Sequence, residues 1–165
     1  MAKEQGFYLI IVAAGSGSRF GGDTPKQYLP LGGKSVLRHS VDAFASLPPC
    51  LKIVVVIDPS YRETAQRALA GLNDIIICEG GTTRQESVSN GLSCFGGLAD
   101  DDTILIHDAA RPFVEREAIL RLLDVMKGAE AATLACSISD TLRYADENGG
   151  ATESVDRENL WYIQT

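Results

Sequence analysis

Five short segments of this chain are mostly apolar: Phe7–Ala13, Lys52–Ile57, Asp74–Cys78, Thr103–His107 and Ala132–Ile138. They do not alternate with polar residues, as a strand with one wet face would. Continuous apolarity over such short runs marks strands covered on both faces, as in a parallel sheet. Helical patterns fill the gaps, at Ser35–Leu47, Tyr61–Leu72, Arg84–Phe95 and Arg116–Lys127. Two of them open on a capping-box sequence, Ser60–Glu63 and Thr83–Glu86. Alternating strand and helix predicts a doubly wound α/β fold with a mainly parallel sheet and right-handed crossovers. The polar stretch Asp140–Asn159 breaks this rhythm. Its turn Asn148-Gly149-Gly150 predicts a projecting hairpin arm at about residues 140–158, with sides Thr141–Tyr144 and Thr152–Val155.

A chain of 165 residues is the size of one domain. A formal net charge of −7 argues against a basic nucleic-acid footprint. The run Phe7–Ala14 is too short to span a membrane. Glu4 before it and a glycine loop directly after it argue against a cleaved signal peptide. Cys50, Cys78, Cys94 and Cys136 form no Cys-x-x-Cys pair and are expected to be buried, reduced thiols of a cytoplasmic protein.

In open α/β sheets ligands bind beyond the carboxyl ends of the strands, where the strand order reverses. Three unusual loops are predicted to meet there. The first, from Ala13-Ala14-Gly15 through Gly17 and Arg19 to Pro25-Lys26-Gln27, follows the first strand. Its glycines let backbone amides approach phosphate oxygens. It is neither a dinucleotide fingerprint, since Phe20 stands where Gly or Ala is needed, nor a P-loop, since Tyr28 stands where the first glycine before Gly33-Lys34-Ser35 would fall. Arg19 and Lys26 beside bare amides suit a polyphosphate, although the same pair would also serve as ordinary surface charges.

The second loop, Gly80-Gly81-Thr82-Thr83-Arg84, runs into a helix whose free N–H groups and positive dipole end suit an anion. Thr83 and Glu86 are accounted for by capping alone. The third loop, His107-Asp108-Ala109-Ala110-Arg111-Pro112, puts a carboxylate at a strand end. Asp108 there suits Mg²⁺ held against phosphates, or equally a turn cap, and Arg111 is able to pair with it. His107 reads as packed, and His39 as structural.

Together these pieces resemble the 2-C-methyl-D-erythritol 4-phosphate cytidylyltransferase family over essentially the whole chain. The carrying motifs are Ala13-Ala14-Gly15-x-Gly17-x-Arg19, Pro25-Lys26-Gln27-Tyr28-Leu29, Gly80-Gly81-x-x-Arg84-x-x-Ser87-Val88 and His107–Pro112, followed by Asp140-Thr141 and Val155-Asp156-Arg157. The glycine loop is shared with many sugar nucleotidyltransferases, whereas its combination with His-Asp-Ala-Ala-Arg-Pro and Val-Asp-Arg is far more specific. The resemblance implies a Rossmann-like nucleotidyltransferase fold and transfer of a cytidylyl group from CTP to the polyol phosphate, with Mg²⁺ as cofactor. It implies that Arg19 and Lys26 are catalytic and that Asp108 holds the metal. It further implies that Ala13, Ala14, Gly15, Gly81, Arg84, Ser87 and Ala109 face the nucleotide, while Thr141, Arg157 and Arg111 serve the polyol phosphate. A homodimer through the arm is implied as well, with Thr141 and Arg157 acting on the partner's site.

The pattern stops at Thr165, where family members continue to a further lysine, so the chain is expected to be a truncated single nucleotidyltransferase domain, weak alone and drawn from a longer enzyme that includes a fused synthase in some relatives. Three other readings stay open at this level: a cytidylyltransferase for another polyol phosphate such as ribitol 5-phosphate, a guanylyl- or uridylyltransferase, and a non-catalytic nucleotide-binding fragment.

Overall fold

The computed structural model describes residues 6–15, 24–47 and 50–163. The chain divides into two compact units, residues 1–121 and 122–165. The elements of the first are β1 (Phe7–Ala13), β2 (Pro30–Leu31), β3 (Lys34–Ser35), α1 (Val36–Ala45), β4 (Cys50–Ile57), α2 (Arg62–Ala68), β5 (Ile75–Glu79), α3 (Arg84–Ser93) and β6 (Thr103–Asp108). Helix α4 (Arg116–Val125) follows and buries Ile119.

Four strands form one sheet in the order β5-β4-β1-β6, every pair parallel. The chain steps outward from β1 through β4 to β5, then crosses back to lay β6 on the other side of β1. The reversal falls between β1 and β6, and this is the switch point where such sheets bind ligands.

Residue alternation along the strands assigns two apolar faces. Ile10, Val54 and Val56 close on Phe95 on one face, with Tyr8, Val12, Ile76, Val88 and Leu92 around them. The Tyr8 and Phe95 rings meet edge to face at 5.1 Å. Phe7, Leu9, Ile11, Val55 and Ile57 point the other way and are fully buried, as are Leu37 and Val41 of α1. The parallel sheet flanked by helices is therefore the expected α/β architecture. Strand β1 has the predicted bounds, and β4, β5 and β6 lie within two residues of theirs.

Helix α3 carries the expected capping box, with Thr83 and Glu86 each serving the other's backbone N–H. The box expected at Ser60–Glu63 does not form. Asp58 accepts from the Ser60 N–H at 2.9 Å and opens a 3-10 turn over Pro59–Tyr61, and α2 starts only at Arg62. A stronger cap, Asp followed by Pro at the first helical position, lies two residues earlier and wins.

The second unit holds β7 (Ala135–Ser137), β8 (Arg143–Ala145), β9 (Ala151–Ser154) and β10 (Trp161–Ile163). Strands β8 and β9 pair antiparallel as the predicted hairpin, and the Asp146 carboxylate accepts from the N–H groups of Asn148 and Gly150 across its turn. The fifth apolar run departs from expectation. Only Ala135–Ser137 is strand, all of it exposed and paired antiparallel with β10. The run is dominated by Ala, Thr, Cys and Ser, whose burial offers little hydrophobic gain. For the same reason Cys136 is exposed rather than buried, and the other three thiols are half-buried. Among the described residues no helix is long and apolar enough to cross a membrane.

Candidate active site

The carboxyl ends of β1, β5 and β6 open into one cleft of about 880 Å³. Of the residues singled out from sequence, Ala13, Ala14, Gly15, Lys26, Gly81, Arg84, Ser87, Asp108, Ala109 and Arg111 line it. Arg19 lies outside the described residues. Thr141 and Arg157 belong to the second unit, where Thr141 is exposed and the Arg157 guanidinium donates to the Ser139 carbonyl.

The floor is the end of β1. Pro25 leads into a single 3-10 turn, Lys26–Tyr28, closed by the Tyr28 N–H on the Pro25 carbonyl at 2.9 Å. The turn presents Lys26 to the cleft and buries the next side chain, Gln27. The Gln27 Nε2 donates to the carbonyls of both Ala13 and Gly15, each at 2.9 Å. Tyr28 stacks on Tyr61 at 5.2 Å, and burial pushes its hydroxyl up to about 12.

One wall is the β5–α3 turn. It sits so close to β1 that a Cβ on Gly80 would lie 2.4 Å from the Ala14 Cβ and 2.9 Å from the Ser87 Oγ. Gly80 is required there by close approach. Ser87 is buried, accepting from the Gly81 N–H at 3.1 Å and donating to the Thr83 carbonyl at 2.9 Å. The N–H groups of Thr82 and Thr83 go to the Glu86 carboxylate, at 2.7 and 3.3 Å. These bonds hold Glu86 below the usual carboxylate range, the Thr82 hydroxyl being the largest contributor. The capping box thus satisfies the Thr83 and Glu86 amides from within and leaves the Arg84 and Gln85 amides outside it. Those two amides and the Arg84 side chain are what the helix end offers an anion.

The opposite wall is the turn after β6. The Asp108 carboxylate is held from two directions, by Arg84 Nη2 at 3.1 Å on one oxygen and by Arg111 Nε at 3.2 Å on the other. The turn itself is pinned at three points. The Ala109 N–H donates to the Val12 carbonyl at 3.0 Å, and the Ala109 carbonyl accepts from the fully buried Ser40 hydroxyl at 2.8 Å. His107 Nε2 meets the Arg111 carbonyl at 2.9 Å, which can only accept, so the ring carries its proton on that nitrogen. Burial then holds His107 below its ordinary pKa, against smaller opposing effects of that bond and of Asp108.

Gln27 and Ser40 went unassigned in the sequence. Ser40 left a trace there, as a polar residue within the apolar stripe Leu37, Val41, Phe44 of α1. Gln27 left none beyond its place in Pro-Lys-Gln.

The residues present fit a magnesium ion in one limited way. Among the described residues no three His, Cys, Asp or Glu side chains group as a metal site. Among the described residues Asp108 is the one carboxylate lining the cleft, and Mg²⁺ is commonly held by one or two carboxylates together with substrate phosphates.

The arrangement is a cleft lined by Lys26, Arg84 and Arg111, with the two arginines on one carboxylate, at the switch point of a parallel sheet. Comparison with known proteins agrees with this geometry. The family model described as "IspD: 2-C-methyl-D-erythritol 4-phosphate cytidylyltransferase" matches residues 7–165. The chain is 42% identical over 157 residues to a bifunctional IspD/IspF enzyme of Paramagnetospirillum magneticum, covering 95% of this chain and 40% of that protein. It is 40% identical over 166 residues to a 2-C-methyl-D-erythritol 4-phosphate cytidylyltransferase of Nitrosomonas eutropha, covering 96% of this chain and 71% of that one. The crystal structure of the Francisella tularensis cytidylyltransferase superposes with a TM-score of 0.80 at 33% identity, over 98% of this chain and 70% of that one. With the glycine turn, the lysine turn and the Asp108 turn all facing one cleft, and a family match from the first strand to the last residue, the chain belongs to the 2-C-methyl-D-erythritol 4-phosphate cytidylyltransferase family.

Proposed function

We propose that the protein to which this chain belongs transfers a cytidylyl group from CTP to 2-C-methyl-D-erythritol 4-phosphate, releasing pyrophosphate, in non-mevalonate isoprenoid synthesis. The observation that carries the reading is the cleft in which Lys26 and the glycine turn of β1 face Arg84, Asp108 and Arg111. A phosphate oxygen of the acceptor attacks the α-phosphorus of CTP. The bond from that phosphorus to the bridging oxygen breaks, and the electron pair leaves with pyrophosphate. The attacking group is a phosphate monoester, already ionised near neutral pH, so no strong general base is needed. The obstacle is bringing two anions together, and catalysis is positioning with charge neutralisation. Lys26, with Arg19, is assigned to the charge on the α-phosphate and the leaving pyrophosphate. Arg84, Gly81, Ser87, Ala109 and the Ala13–Gly15 backbone are assigned to the nucleotide. Arg111 is assigned to the acceptor phosphate, and Thr141 and Arg157 to the acceptor phosphate of the partner's site.

Asp108 is assigned to hold Mg²⁺, which when bound supplies positive charge to the phosphate oxygens. A homodimer through the β8–β9 hairpin and a cytoplasmic setting complete the reading. The hairpin is well formed, and none of the four thiols is in a disulfide.

The test is pyrophosphate release by the full-length protein supplied with CTP, Mg²⁺ and methylerythritol phosphate, run beside ribitol 5-phosphate and beside UTP and GTP. The expected result is turnover with CTP and methylerythritol phosphate well above every other combination. Equal or faster turnover with ribitol 5-phosphate would move the protein to another polyol branch. Cations at phosphoryl transition states can be worth about 10³–10⁵ in rate, so Lys26→Met is expected to abolish turnover with an unchanged circular dichroism spectrum. Retention of more than about a tenth of the wild-type rate would remove Lys26 from the catalytic role.

A further inference from the structure

The Gln27 side chain is 5% exposed, and its terminal NH₂ spends both hydrogens on backbone carbonyls of the strand-end loop, Ala13 and Gly15, at 2.9 Å each. Resting on the nucleotide reading above, we propose that Gln27 is a positioning residue that gives this loop its polarity toward phosphate. A loop that binds an anion through its backbone must keep its carbonyl oxygens turned away, because a bare carbonyl oxygen repels phosphate as strongly as an amide attracts it. In a trans peptide the C=O and the following N–H point in opposite directions. With the Ala13 carbonyl drawn to Gln27, the Ala14 N–H faces the other way.

Gly15 has no Cβ, so the orientation of its carbonyl is poorly fixed by local sterics and needs an outside partner. Gln27 supplies one. It also sits next to Lys26 in the same 3-10 turn, so the two bonds fasten the lysine turn to the end of β1. The cation and the loop backbone are thereby held in one frame. A carboxamide suits the task because it offers two donors on one nitrogen. Glutamate has the same shape with no donor when ionised, and turns both contacts repulsive. Asparagine keeps the NH₂ on a shorter arm.

The experiment is calorimetric titration of CTP into the full-length wild-type protein and its Gln27→Glu, Gln27→Met and Gln27→Asn variants between pH 5 and 8, alongside melting curves. Amide NMR of Ala14 in each variant supplies a readout independent of nucleotide. Expected for Gln27→Met is a loss of CTP affinity of about tenfold or more at every pH, as both ties to the loop go. Gln27→Glu should lose at least as much at pH 8 and recover relative to the wild type toward pH 5, because a protonated carboxyl regains one donor. The Ala14 amide resonance should move in both. Folded Glu and Met variants that bind CTP within about threefold of the wild type across the pH range would overturn the role while leaving the nucleotide reading intact. A full-length wild-type protein that binds no CTP would overturn that reading, and this inference with it. Should the Glu and Met variants fail to fold, the Asn variant decides, and wild-type affinity there overturns the role.

Discussion

His107 shows how a single side chain can link stability to pH without taking part in chemistry. Its ring lies 4.8 Å from that of Phe44, buried, with the Nε2 proton committed to the Arg111 carbonyl. Burial lowers its folded pKa below the ordinary 6.5, so the unfolded chain takes up a proton first as pH falls. Linkage then has a definite sign. The contribution is complete above about 6.5 and is lost as pH drops through that value toward the lowered one. Urea unfolding at pH 7.5 and pH 5.5 is therefore expected to give a smaller stability at the lower pH, and His107→Gln should flatten part of that slope. A slope unchanged by the substitution would assign it to other groups. Glu86, also lowered, acts only further down, around and below its ordinary 4.5.

At the scale of elements, the third turn depends on helix α1 through one bond, from the Ser40 hydroxyl to the Ala109 carbonyl. Ser40→Ala leaves a buried carbonyl without that partner and should cost about 1–3 kcal/mol in unfolding free energy. If the turn loosens as well, the affinity for CTP should fall in the same variant. An unfolding free energy within error of the wild type would show that the turn is held by its other bonds.

The elements also show what could be read in advance. The runs that became β1, β4, β5 and β6 are dense in Ile, Val and Leu, so their place in the sheet was written in composition; only β1 and β4, at its centre, are buried on both faces, while the edge strands β5 and β6 stay half-buried, with Ile106 exposed. The run around Ala135 is made of small residues and was not decisive, because its fate rests on tertiary pairing rather than its own apolarity. The Thr83 capping box was local and legible. The Ser60 box was equally good as a pattern and lost to Asp58-Pro59, a competition between neighbours that a pattern match does not weigh. The clustering of the three loops followed from the topology. The bonds of Gln27 and the double pairing of Asp108 did not, since both depend on side-chain directions that only the folded backbone sets.

For the whole molecule, a net charge of −7 opposes the approach of a triphosphate, while the cleft offers Lys26 and Arg84 to receive it. The two effects act over different distances. Raising ionic strength from about 10 to 100 mM shortens the screening length from about 30 to 10 Å, which suppresses the distant repulsion before the local attraction. Stopped-flow measurement is expected to give an association rate for CTP at 100 mM salt at least equal to that at 10 mM, with the weakening of affinity at higher salt carried by faster dissociation. An association rate falling steeply over that interval would show that the cleft's cations dominate even at long range.

The carboxylate shared by Arg84 and Arg111 bears on how that dissociation constant responds to salt. Asp108 is a built-in stand-in for a phosphate. It holds two guanidinium groups at a fixed spacing that would otherwise repel each other and wander. On the proposed reading the nucleotide at Arg84 and the acceptor phosphate at Arg111 do not meet naked charges; each replaces the resident carboxylate at its arginine. Binding is then an exchange of one partner for another, with few ion pairs gained outright. The salt sensitivity of affinity should accordingly be shallower than a count of the cleft's cations suggests, and the carboxylate is set free in the same step that delivers phosphate oxygens beside it.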